Sequence, residues 1–428
     1  MQIGICGLGT VGSGAFNLIS GNGQEMKRRI GRELTIAQVG CRRDHPDCDL
    51  SSTNVTRDIF DVVKNPEVDI VLELIGGTDD ALKLVMEAIS NKKHVVTANK
   101  ALIAEHGDEI FGAASKRGVQ VRFEAAIAGG IPIVKAIREG LAANRVEWVA
   151  GIINGTSNYI LTEMSEPGRN LAFADVLKDA QDLGYAEADP TFDVEGIDAA
   201  HKLTILSSIA FGVPLRFDAI YTEGISGITS EDIGYARELG YTIRHLGVTR
   251  NLEDSVELRV HPCLVANSHM LAQVNGVMNA VMVGSDAAGA TMYYGAGAGS
   301  GPTASAVLGD VIDIVRTDGV HSVANLGFMP ETLEPKRVME IQEFEGSAYL
   351  RLVVSDEPGV MARISTILGQ YKISIEALIQ KDARGGDAHV VIITNSVLEK
   401  SLNDAMQELA GLDETKGDIA RIRVADFS

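Results

Sequence analysis

Short apolar segments alternate with amphipathic helical patterns over residues 1–145. The apolar runs include Gln2–Cys6, His94–Thr97 and Gln120–Glu124, and the helical segments include Thr78–Ser90 and Lys100–Lys116. Strands that alternate with helices predict βαβ units and a parallel sheet with right-handed connections. In such a sheet, ligands bind beside the carboxyl ends of the strands. We therefore expect an α/β domain with a binding site at that edge.

The pattern changes after residue 145. Strand-like runs such as Val146–Ile153 and Tyr241–Thr249 mix with helical segments such as Asp198–Phe211. This mixture predicts an α+β domain over 146–325 with a mixed or antiparallel sheet. A helix predicted at 302–320 follows a glycine-rich run, and we expect it to pack back on the first domain.

The last part of the chain has the pattern of a small separate domain. Residues 326–346 are irregular and contain Pro330 and Pro335, which predicts a linker. Residues 347–428 follow the order strand, helix, strand, strand, helix, strand. This βαββαβ order predicts a ferredoxin-like domain.

Composition and charge exclude several classes of protein. The chain has 428 residues, of which 45% are hydrophobic, and its net charge is −20. This negative charge argues against a nucleic-acid-binding protein and against attachment to an anionic membrane. The sequence has no apolar run long enough for a membrane span, and its start reads as a strand and not as a signal peptide. The four cysteines lack zinc-site spacing, so a cytoplasmic location is expected.

A glycine-rich motif directly follows the first predicted strand. Gly7, Gly9 and Gly12 form G-x-G-x-x-G, and Thr10 and Val11 open the helix after it. The first glycine permits a tight turn, the second a close approach to a pyrophosphate, and the third close packing of helix and strand. The helix N-terminus then faces the anion. Because the motif has the required strand and helix around it, it predicts a Rossmann-type dinucleotide-binding domain.

The end of the second strand bears on the choice of cofactor. The predicted strand Thr35–Cys41 leads into Arg42, Arg43 and Asp44. Arginine there can hold the 2′-phosphate of NADP, whereas an acidic residue holds the ribose hydroxyls of NAD. The two arginines favour NADP, Asp44 leaves NAD open, and a solvated charged turn is the alternative.

Carboxylates are concentrated in residues 184–198. They are Glu187, Asp189, Asp193, Glu195 and Asp198. Asp198 opens a predicted helix in which Lys202 lies four residues later, so the two side chains share one helical face. An exposed salt bridge of little energetic value is the alternative interpretation of this pair.

Three further segments carry candidate chemistry. Lys100 lies just past the carboxyl end of a predicted strand, where ligands bind in a doubly wound sheet. Residues 154–158 offer hydroxyl, amide and backbone donors, although such residues also cap helices. The loop 124–132 combines Glu124 with accessible carbonyl groups, which suit a hard cation, and a turn between domains is the alternative.

Taken together, these motifs resemble homoserine dehydrogenase with a C-terminal ACT domain. The matching segments are GLGTVG at 7–12, VTANK at 96–100, EAAIAGGIP at 124–132, NGTSNYI at 154–160, GYAEADPTFDVEGIDAAHK at 184–202 and GAGAGSGPTASAV at 295–307. The resemblance implies a Rossmann-type domain, an α+β catalytic and dimerisation domain and an ACT domain.

The resemblance also implies an activity, the reversible NAD(P)-dependent interconversion of L-aspartate 4-semialdehyde and L-homoserine. Lys202 matches the family's acid–base lysine, Lys100 its second active-site lysine, and Asp198 a supporting carboxylate. Glu187 and Asp193 match residues that bind the substrate's amino group. The other implied substrate-binding residues are Gly155, Thr156 and Tyr185, the implied cofactor contacts include Thr97 and Gly299, and Glu124, Ile127, Gly129 and Ile131 match a sodium site.

The turn before the first helix of the tail resembles the ligand loop of ACT domains. Asp356, Gly359 and Val360 carry that resemblance. It implies feedback regulation by L-threonine, and the family implies a homodimer or homotetramer. A dimerisation module without a ligand is the alternative for the tail.

Two other functions compete with a homoserine dehydrogenase. Aspartate-semialdehyde dehydrogenase would need a cysteine nucleophile, and Cys263 has no supporting motif. A non-catalytic sensor could bind a dinucleotide and an amino acid, but it would not need both lysines and the carboxylate segment.

Overall fold

The first sheet is parallel and has helices on its faces. We describe a computed structural model of the chain over residues 1–169, 171–317, 325–328, 332–382 and 386–427. The first strands are β1 (Gln2–Cys6), β2 (Thr35–Gly40), β3 (Val55–Thr56), β4 (Ile70–Glu73), β5 (His94–Thr97) and β6 (Val121–Arg122). Their helices are α1 (Thr10–Ile30), α2 (Ile59–Lys64), α3 (Asp79–Ser90), α4 (Lys100–Arg117) and α5 (Ile133–Lys135). The order β3-β2-β1-β4-β5-β6 confirms the predicted doubly wound sheet.

The second group of elements builds a mixed sheet. Its strands are β7 (Val146–Ile152), β8 (Tyr221–Thr222), β9 (Tyr241–Asn251), β10 (Ser255–Ala266), β11 (Met278–Ser285) and β12 (Gly289–Ala296). Its helices are α6 (Gly155–Met164), α7 (Phe173–Asp182), α8 (Thr191–Val194), α9 (Ile197–Phe211), α10 (Ser230–Glu238) and α11 (Ser300–Arg316). Helix α9 is buried along nearly its whole length, which makes it the central helix of this α+β unit.

The C-terminal elements extend the same sheet. They are β13 (Arg337–Val338), β14 (Glu345–Gly346), β15 (Ala348–Ser355), α12 (Val360–Gln370), β16 (Ile375–Asp382), β17 (Asp387–Thr394), β18 (Val397–Leu398), α13 (Glu399–Ala410) and β19 (Thr415–Val424). The strand order is β12-β11-β7-β9-β10-β19-β15-β17-β16. Strands β10 and β19 pair in parallel, with Cys263 opposite Arg423. One sheet therefore crosses the boundary between the second and third domains.

Several local features differ from the sequence-based expectations. The predicted strand at 120–124 shortens to Val121–Arg122, because Glu124 begins a 3-10 turn. The hairpin of β11 and β12 was not predicted. The segment predicted as a linker is partly ordered, since β13 pairs with β10 and β14 with β18. Residues 329–331 of that segment lie outside the described residues, as do 318–320 of the predicted helix 302–320.

Helix α11 packs against α1, so it joins the core of the first sheet. Apolar side chains of the two helices, including Phe16 and Leu308, lie in one cluster. Gly14 makes this approach close, because a Cβ atom there would lie 2.5 Å from Ser300 Oγ and 2.6 Å from the Ser300 carbonyl oxygen. Among the described residues, no helix has both the length and the apolar character needed to cross a lipid bilayer.

The contact at Gly14 yields a stability prediction. Gly14→Ala should lower the free energy of unfolding by about 1–3 kcal/mol, because the added methyl group has no space. Gly21→Ala is the matched control, since a Cβ atom at Gly21 meets nothing within 4 Å. That control should be neutral or stabilising by about 0.5–1 kcal/mol, because alanine favours the helix. Denaturant unfolding measures both, and equal behaviour of the two variants would contradict the close approach of α1 and α11.

Candidate active site

A cleft of about 500 Å³ lies between the carboxyl edge of the first sheet and the second domain. Many of the predicted site residues line it: Val11, Lys100, Gly129, Gly155, Thr156, Tyr185, Asp193, Asp198, Lys202 and Gly299. They come from segments far apart in the sequence, so the fold brings the predicted motifs together. Glu187 does not line the cleft; it is exposed, and its carbonyl oxygen accepts a hydrogen bond from Gln181.

The centre of the cleft is the buried carboxylate of Asp198, in the first turn of α9. Its Oδ1 lies 3.0 Å from Lys100 Nζ, and its Oδ2 lies 2.6 Å from Lys202 Nζ. Asn154 Nδ2 donates to the same Oδ2 at 2.8 Å. Burial alone would raise the pKa of Asp198, but the two lysines hold it well below its usual range. Asp198 therefore carries its charge inside the protein.

Lys202 is a buried ammonium with a defined set of partners. Its Nζ donates to Asp198 and, at 2.7 Å, to the carbonyl oxygen of Ile153. Burial lowers the pKa of Lys202, Lys100 lowers it further, and Asp198 opposes the shift. A lysine ammonium has three donors, so one is left for a ligand in the cleft. The alternative interpretation of this pair, an exposed salt bridge, is thus excluded, because both side chains are buried.

Asn154 joins two of the carboxylates. Its Nδ2 donates to Asp193 Oδ1 at 2.7 Å as well as to Asp198, and its Oδ1 caps α6 through Ser157 N. Burial raises the pKa of Asp193, and the neighbouring charge of Asp198 raises it further. Asn154 belongs to the candidate segment 154–158 but was not among the predicted site residues. Its position directly after β7 was the available signal.

Aromatic side chains form the rim of the cleft. Tyr185 is 44% exposed, and its carbonyl oxygen accepts a hydrogen bond from Thr156 Oγ1 at 2.7 Å. Phe192 is 42% exposed, and its ring centre lies 5.9 Å from Lys100 Nζ. An amphipathic ligand can therefore meet apolar surface at the entrance and charge at the base.

The glycine motif has the geometry that a pyrophosphate requires. Gly7 has φ +98°, and a Cβ atom at Gly12 would lie 2.0 Å from the Gly7 carbonyl oxygen. A Cβ atom at Gly9 would meet nothing within 4 Å, so the backbone is open to a ligand there. Thr10 begins α1, whose N-terminus can face an anion.

Just after β2, the side chain of Asp44 forms an ion pair with Arg57. Asp44 Oδ1 lies 2.9 Å from Arg57 Nη2, and Arg57 also donates to the Cys41 carbonyl oxygen at 3.3 Å. Arg42 and Arg43 are exposed beside this pair. Sequence reasoning missed Arg57, because it follows β3 and meets the end of β2 only in the folded chain.

Thr97 lies at the end of β5 beneath the cleft. Its hydroxyl donates to the carboxylate of Glu73 and accepts from Asn99 N at 2.9 Å. Glu73 is fully buried, and burial raises its pKa to about 7. Thr97 thus fixes the junction of β4, β5 and α4, and so the position of Lys100.

The predicted cation loop is tightly turned. Ala128 and Gly129 both have φ +51°, and the Gly130 N–H donates to the Ala296 carbonyl oxygen at 3.0 Å. The carboxylate of Glu124 accepts from Val134 N and Lys135 N, both at 2.9 Å. It therefore faces the start of α5.

The predicted effector turn lies far along the chain, before α12. Gly359 has φ +95° and precedes the first residue of that helix, Val360, which is buried. Asp356 N donates to the Gly386 carbonyl oxygen at 2.9 Å. The left-handed conformation explains the glycine at position 359.

Sequence profiles of known families match three parts of the chain. The homoserine dehydrogenase profile matches residues 132–312, and the profile of the homoserine dehydrogenase NAD-binding domain matches 7–124. The ACT domain profile matches 348–414. The homoserine dehydrogenase of Pseudomonas aeruginosa is 56% identical over 433 residues, which cover 100% of this chain and 99% of the relative.

The chain belongs to the homoserine dehydrogenase family. It is therefore an oxidoreductase with an NAD(P)-binding domain and a C-terminal ACT domain. A solved homoserine dehydrogenase from Thiobacillus denitrificans is similar, with a TM-score of 0.95 and 52% identity over 100% of this chain and 99% of that one. A hyperthermophilic archaeal homoserine dehydrogenase solved in complex with NADPH has a TM-score of 0.62 and 25% identity, and covers 73% of this chain and 97% of its own.

Glu73 yields a pH prediction for stability. Its pKa in the folded chain, about 7, lies above the ordinary value, so the folded state binds a proton more tightly. The stabilisation is complete below the ordinary pKa and is lost as the pH rises through about 7. From pH 5 to pH 8, the unfolding free energy should therefore fall by about 2 kcal/mol more in the parent than in Glu73→Gln. In Glu67→Gln, at an exposed carboxylate of the same domain, the unfolding free energy should depend on pH as in the parent. The same pH dependence in the parent and in both variants would contradict the raised pKa of Glu73.

Proposed function

We propose that this member of the family interconverts L-aspartate 4-semialdehyde and L-homoserine reversibly, on the route to threonine, methionine and isoleucine. The observation that carries the proposal is the Lys202 ammonium, buried in the cleft beside Asp198 with one donor left. Reduction of an aldehyde by hydride places negative charge on its oxygen. A positioned ammonium stabilises that charge and then donates the proton.

Lys202 acts as the acid in reduction and as the base in oxidation. The nicotinamide supplies or accepts the hydride when it is bound. Because burial lowers the pKa of Lys202, the side chain can release a proton more readily than a surface lysine. Asp198 and the Ile153 carbonyl oxygen orient Nζ, and Lys100 fixes the other oxygen of Asp198. Lys100 also adds positive charge near the developing oxyanion.

The substrate's ammonium group pairs with carboxylate in this proposal. Asp193 lines the cleft, so it is the first candidate for this pairing. Glu187 is exposed outside the lining, and its predicted role in binding the amino group stays a proposal. The lining residues Gly155, Thr156 and Tyr185 are the other proposed substrate-binding residues.

The division of the chain into domains at residues 145, 325 and 346 stays a prediction.

Lys202→Met should lower kcat by about 10²–10⁴-fold, because it removes the proton donor and keeps the side-chain length. The KM for the nucleotide should change little. Lys83→Met, at an exposed lysine on α3, is the control and should match the parent. Reduced-nicotinamide absorbance with L-homoserine measures turnover. A Lys202→Met variant with the parent's kcat would refute the assignment, and binding without turnover by the parent would support the non-catalytic sensor.

The nucleotide is NADP in our proposal. Arg42 and Arg43 offer cationic groups at the end of β2, and Arg57 engages the acidic residue Asp44 that would favour NAD. The similarity to the archaeal relative solved with NADPH adds support. Gly7, Gly9 and Gly12 would cradle the pyrophosphate, and Thr10, Val11, Thr97 and Gly299 lie along the same edge.

The double variant Arg42→Ser and Arg43→Ser tests this preference. It should lower kcat/KM with NADP by about tenfold or more, because a charge-assisted contact with phosphate is worth about 1.5–3 kcal/mol. The value with NAD should stay near that of the parent. Arg28→Ser on the exposed part of α1 is the control. An equal loss with both nucleotides would contradict a role for the two arginines in 2′-phosphate recognition.

A sodium ion is proposed for the loop 124–131. Glu124, with the carbonyl oxygens of Ile127, Gly129 and Ile131, would hold it, since hard cations prefer oxygen ligands. Ala128 and Gly129 both have φ +51°, so the backbone turns sharply within this loop. Burial and Asp310 raise the pKa of Glu124 to about 7, and a nearby cation would favour its charged form.

The ACT domain is proposed to bind L-threonine as a feedback effector. Asp356, Gly359 and Val360 form the turn where the backbone can approach a ligand. A homodimer or homotetramer is proposed from the family, and the ACT domain could contribute to that assembly. A cytoplasmic location is proposed because the four cysteines are buried and unpaired.

L-Threonine should lower the initial rate of homoserine oxidation, and Asp356→Ala should require about tenfold more L-threonine for the same inhibition. The reason is that loss of one polar contact weakens binding of a small polar ligand. Asp418→Ala, at an exposed residue of β19, serves as the control. If L-threonine has no effect on the parent, the tail serves dimerisation or another effector.

A further inference from the structure

A buried ionic cluster joins the ACT domain to the catalytic domain. Arg423 on β19 is 2% exposed, and its guanidinium group lies between two carboxylates. Nη2 donates to Glu399 Oε1 at 2.5 Å within the ACT domain, and Nη1 donates to Glu223 Oε2 at 2.7 Å in the catalytic domain. Tyr221 also donates to Glu223 Oε2 at 2.7 Å. The forked guanidinium group of Arg423 therefore bridges Glu399 and Glu223, and Arg421 Nη2 lies 3.7 Å from the same Glu223 oxygen.

The backbone of Glu223 is fixed on the catalytic side. Its N–H donates to the Val260 carbonyl oxygen at 2.8 Å, as an extension of the pairing between β8 and β10. Its carbonyl oxygen lies 2.9 Å from His245 Nε2. Because a carbonyl oxygen can only accept, Nε2 carries a proton and donates it in this bond, and burial lowers the pKa of His245. Movement of Glu223 would thus break backbone contacts as well as the ion pair.

The next residues lie directly on the corner between α8 and α9. Ile225 N donates to the Val194 carbonyl oxygen at 2.8 Å, and Ser226 Oγ donates to Glu195 Oε1 at 2.8 Å. Gly224 allows this approach, because a Cβ atom there would lie 2.7 Å from the Val194 carbonyl oxygen. The segment 223–226 therefore touches both the ACT domain and the corner.

That corner carries the carboxylates of the cleft. Asp193 precedes Val194, and Asp198 follows Gly196, which adopts φ +82° between the two helices. Gly196 N donates to the Asp193 carbonyl oxygen at 3.1 Å. A Cβ atom at Gly196 would lie 3.0 Å from His245 Cε1, so the corner also rests on the histidine that holds Glu223. A shift of the segment 223–226 would displace this corner.

We infer that Arg423 is a positioning residue for the reaction: through Glu223 and residues 224–226 it fixes the corner that holds Asp193 and Asp198. The inference rests on the proposed roles of Asp198 and Lys202. The chain of contacts is continuous, and it lies within one subunit. The ACT domain thereby supports the geometry of the catalytic cleft even without an effector.

A second buried arginine provides a matched control. Arg351 on the adjacent strand β15 pairs with Asp232 on α10, with Nε at 2.7 Å from Oδ1. Like the pair of Arg423 with Glu223, this ion pair crosses between the ACT and catalytic domains. Among the described residues, its side-chain hydrogen bonds and ion pairs are with Thr229, Glu231 and Asp232, and not with residues 194–196 or 223–226. If substitution of either arginine acted only by weakening the docking of the ACT domain, both variants should lose activity to the same extent.

The test compares Arg423→Lys with Arg351→Lys in the full chain, assayed with L-homoserine and NADP without L-threonine. Lysine keeps the charge and loses the forked donor. We expect Arg423→Lys to lower kcat about tenfold, since small displacements of catalytic groups are costly, with little change in the KM for NADP. The limb of the kcat pH profile that reports Lys202 should move to lower pH, because a displaced Asp198 no longer stabilises the ammonium. Arg351→Lys should retain the parent's kcat and pH profile.

Ser226→Ala gives a second test. Ser226 is exposed, so its substitution should not prevent folding. It removes the bond to Glu195 and should lower kcat in the same direction, by about threefold, which corresponds to a weak hydrogen bond. It keeps the inference testable if Arg423→Lys does not fold. Equal losses in the Arg423 and Arg351 variants, or a parent-like kcat in both Arg423→Lys and Ser226→Ala, would overturn the inference. An inactive parent would instead overturn the proposed function.

Discussion

The arrangement of the cleft depends on one buried charge, the carboxylate of Asp198. A carboxylate removed from water is stable only when it is paired and hydrogen-bonded. Its partners come from three parts of the fold: Lys100 at the start of α4, Asn154 after β7, and Lys202 one turn further along α9. Each partner belongs to a helix or its cap: Lys100 to α4, Asn154 to the N-cap of α6, and Lys202 to α9. The same pairing that makes burial of Asp198 tolerable places a lysine ammonium at the base of the cleft.

The order of the elements could be predicted well from the sequence, because local patterns determine it. The glycine motif, the alternation of strands and helices, and the βαββαβ order of the tail all depend on residues close in the sequence. The pair of Asp198 and Lys202 was predictable for the same reason, since helical spacing alone places the two side chains on one face. Its burial was not predictable, because burial depends on the strands and loops that cover α9.

Contacts between distant segments account for what was missed. Arg57 meets Asp44 only because β2 and β3 pair, and Asn154 meets Asp193 only because α8 folds back on α6. Glu187 was predicted to bind substrate because its motif resembles that of the family, yet its side chain is exposed and does not line the cleft. The pairing of β10 with β19 had no signal in the sequence. It makes the strands of the ACT domain a continuation of the sheet of the catalytic domain.

The most direct test of this account is a crystal structure of the ternary complex with L-homoserine and the oxidised nicotinamide cofactor. We expect the homoserine hydroxyl to lie within hydrogen-bond distance, about 2.6–3.2 Å, of Lys202 Nζ. Asp198 should still bridge the two lysines in that complex, and the homoserine ammonium should face Asp193. A hydroxyl group that contacts neither Lys202 nor a water molecule bound to it would contradict the assignment of Lys202 as the acid and base.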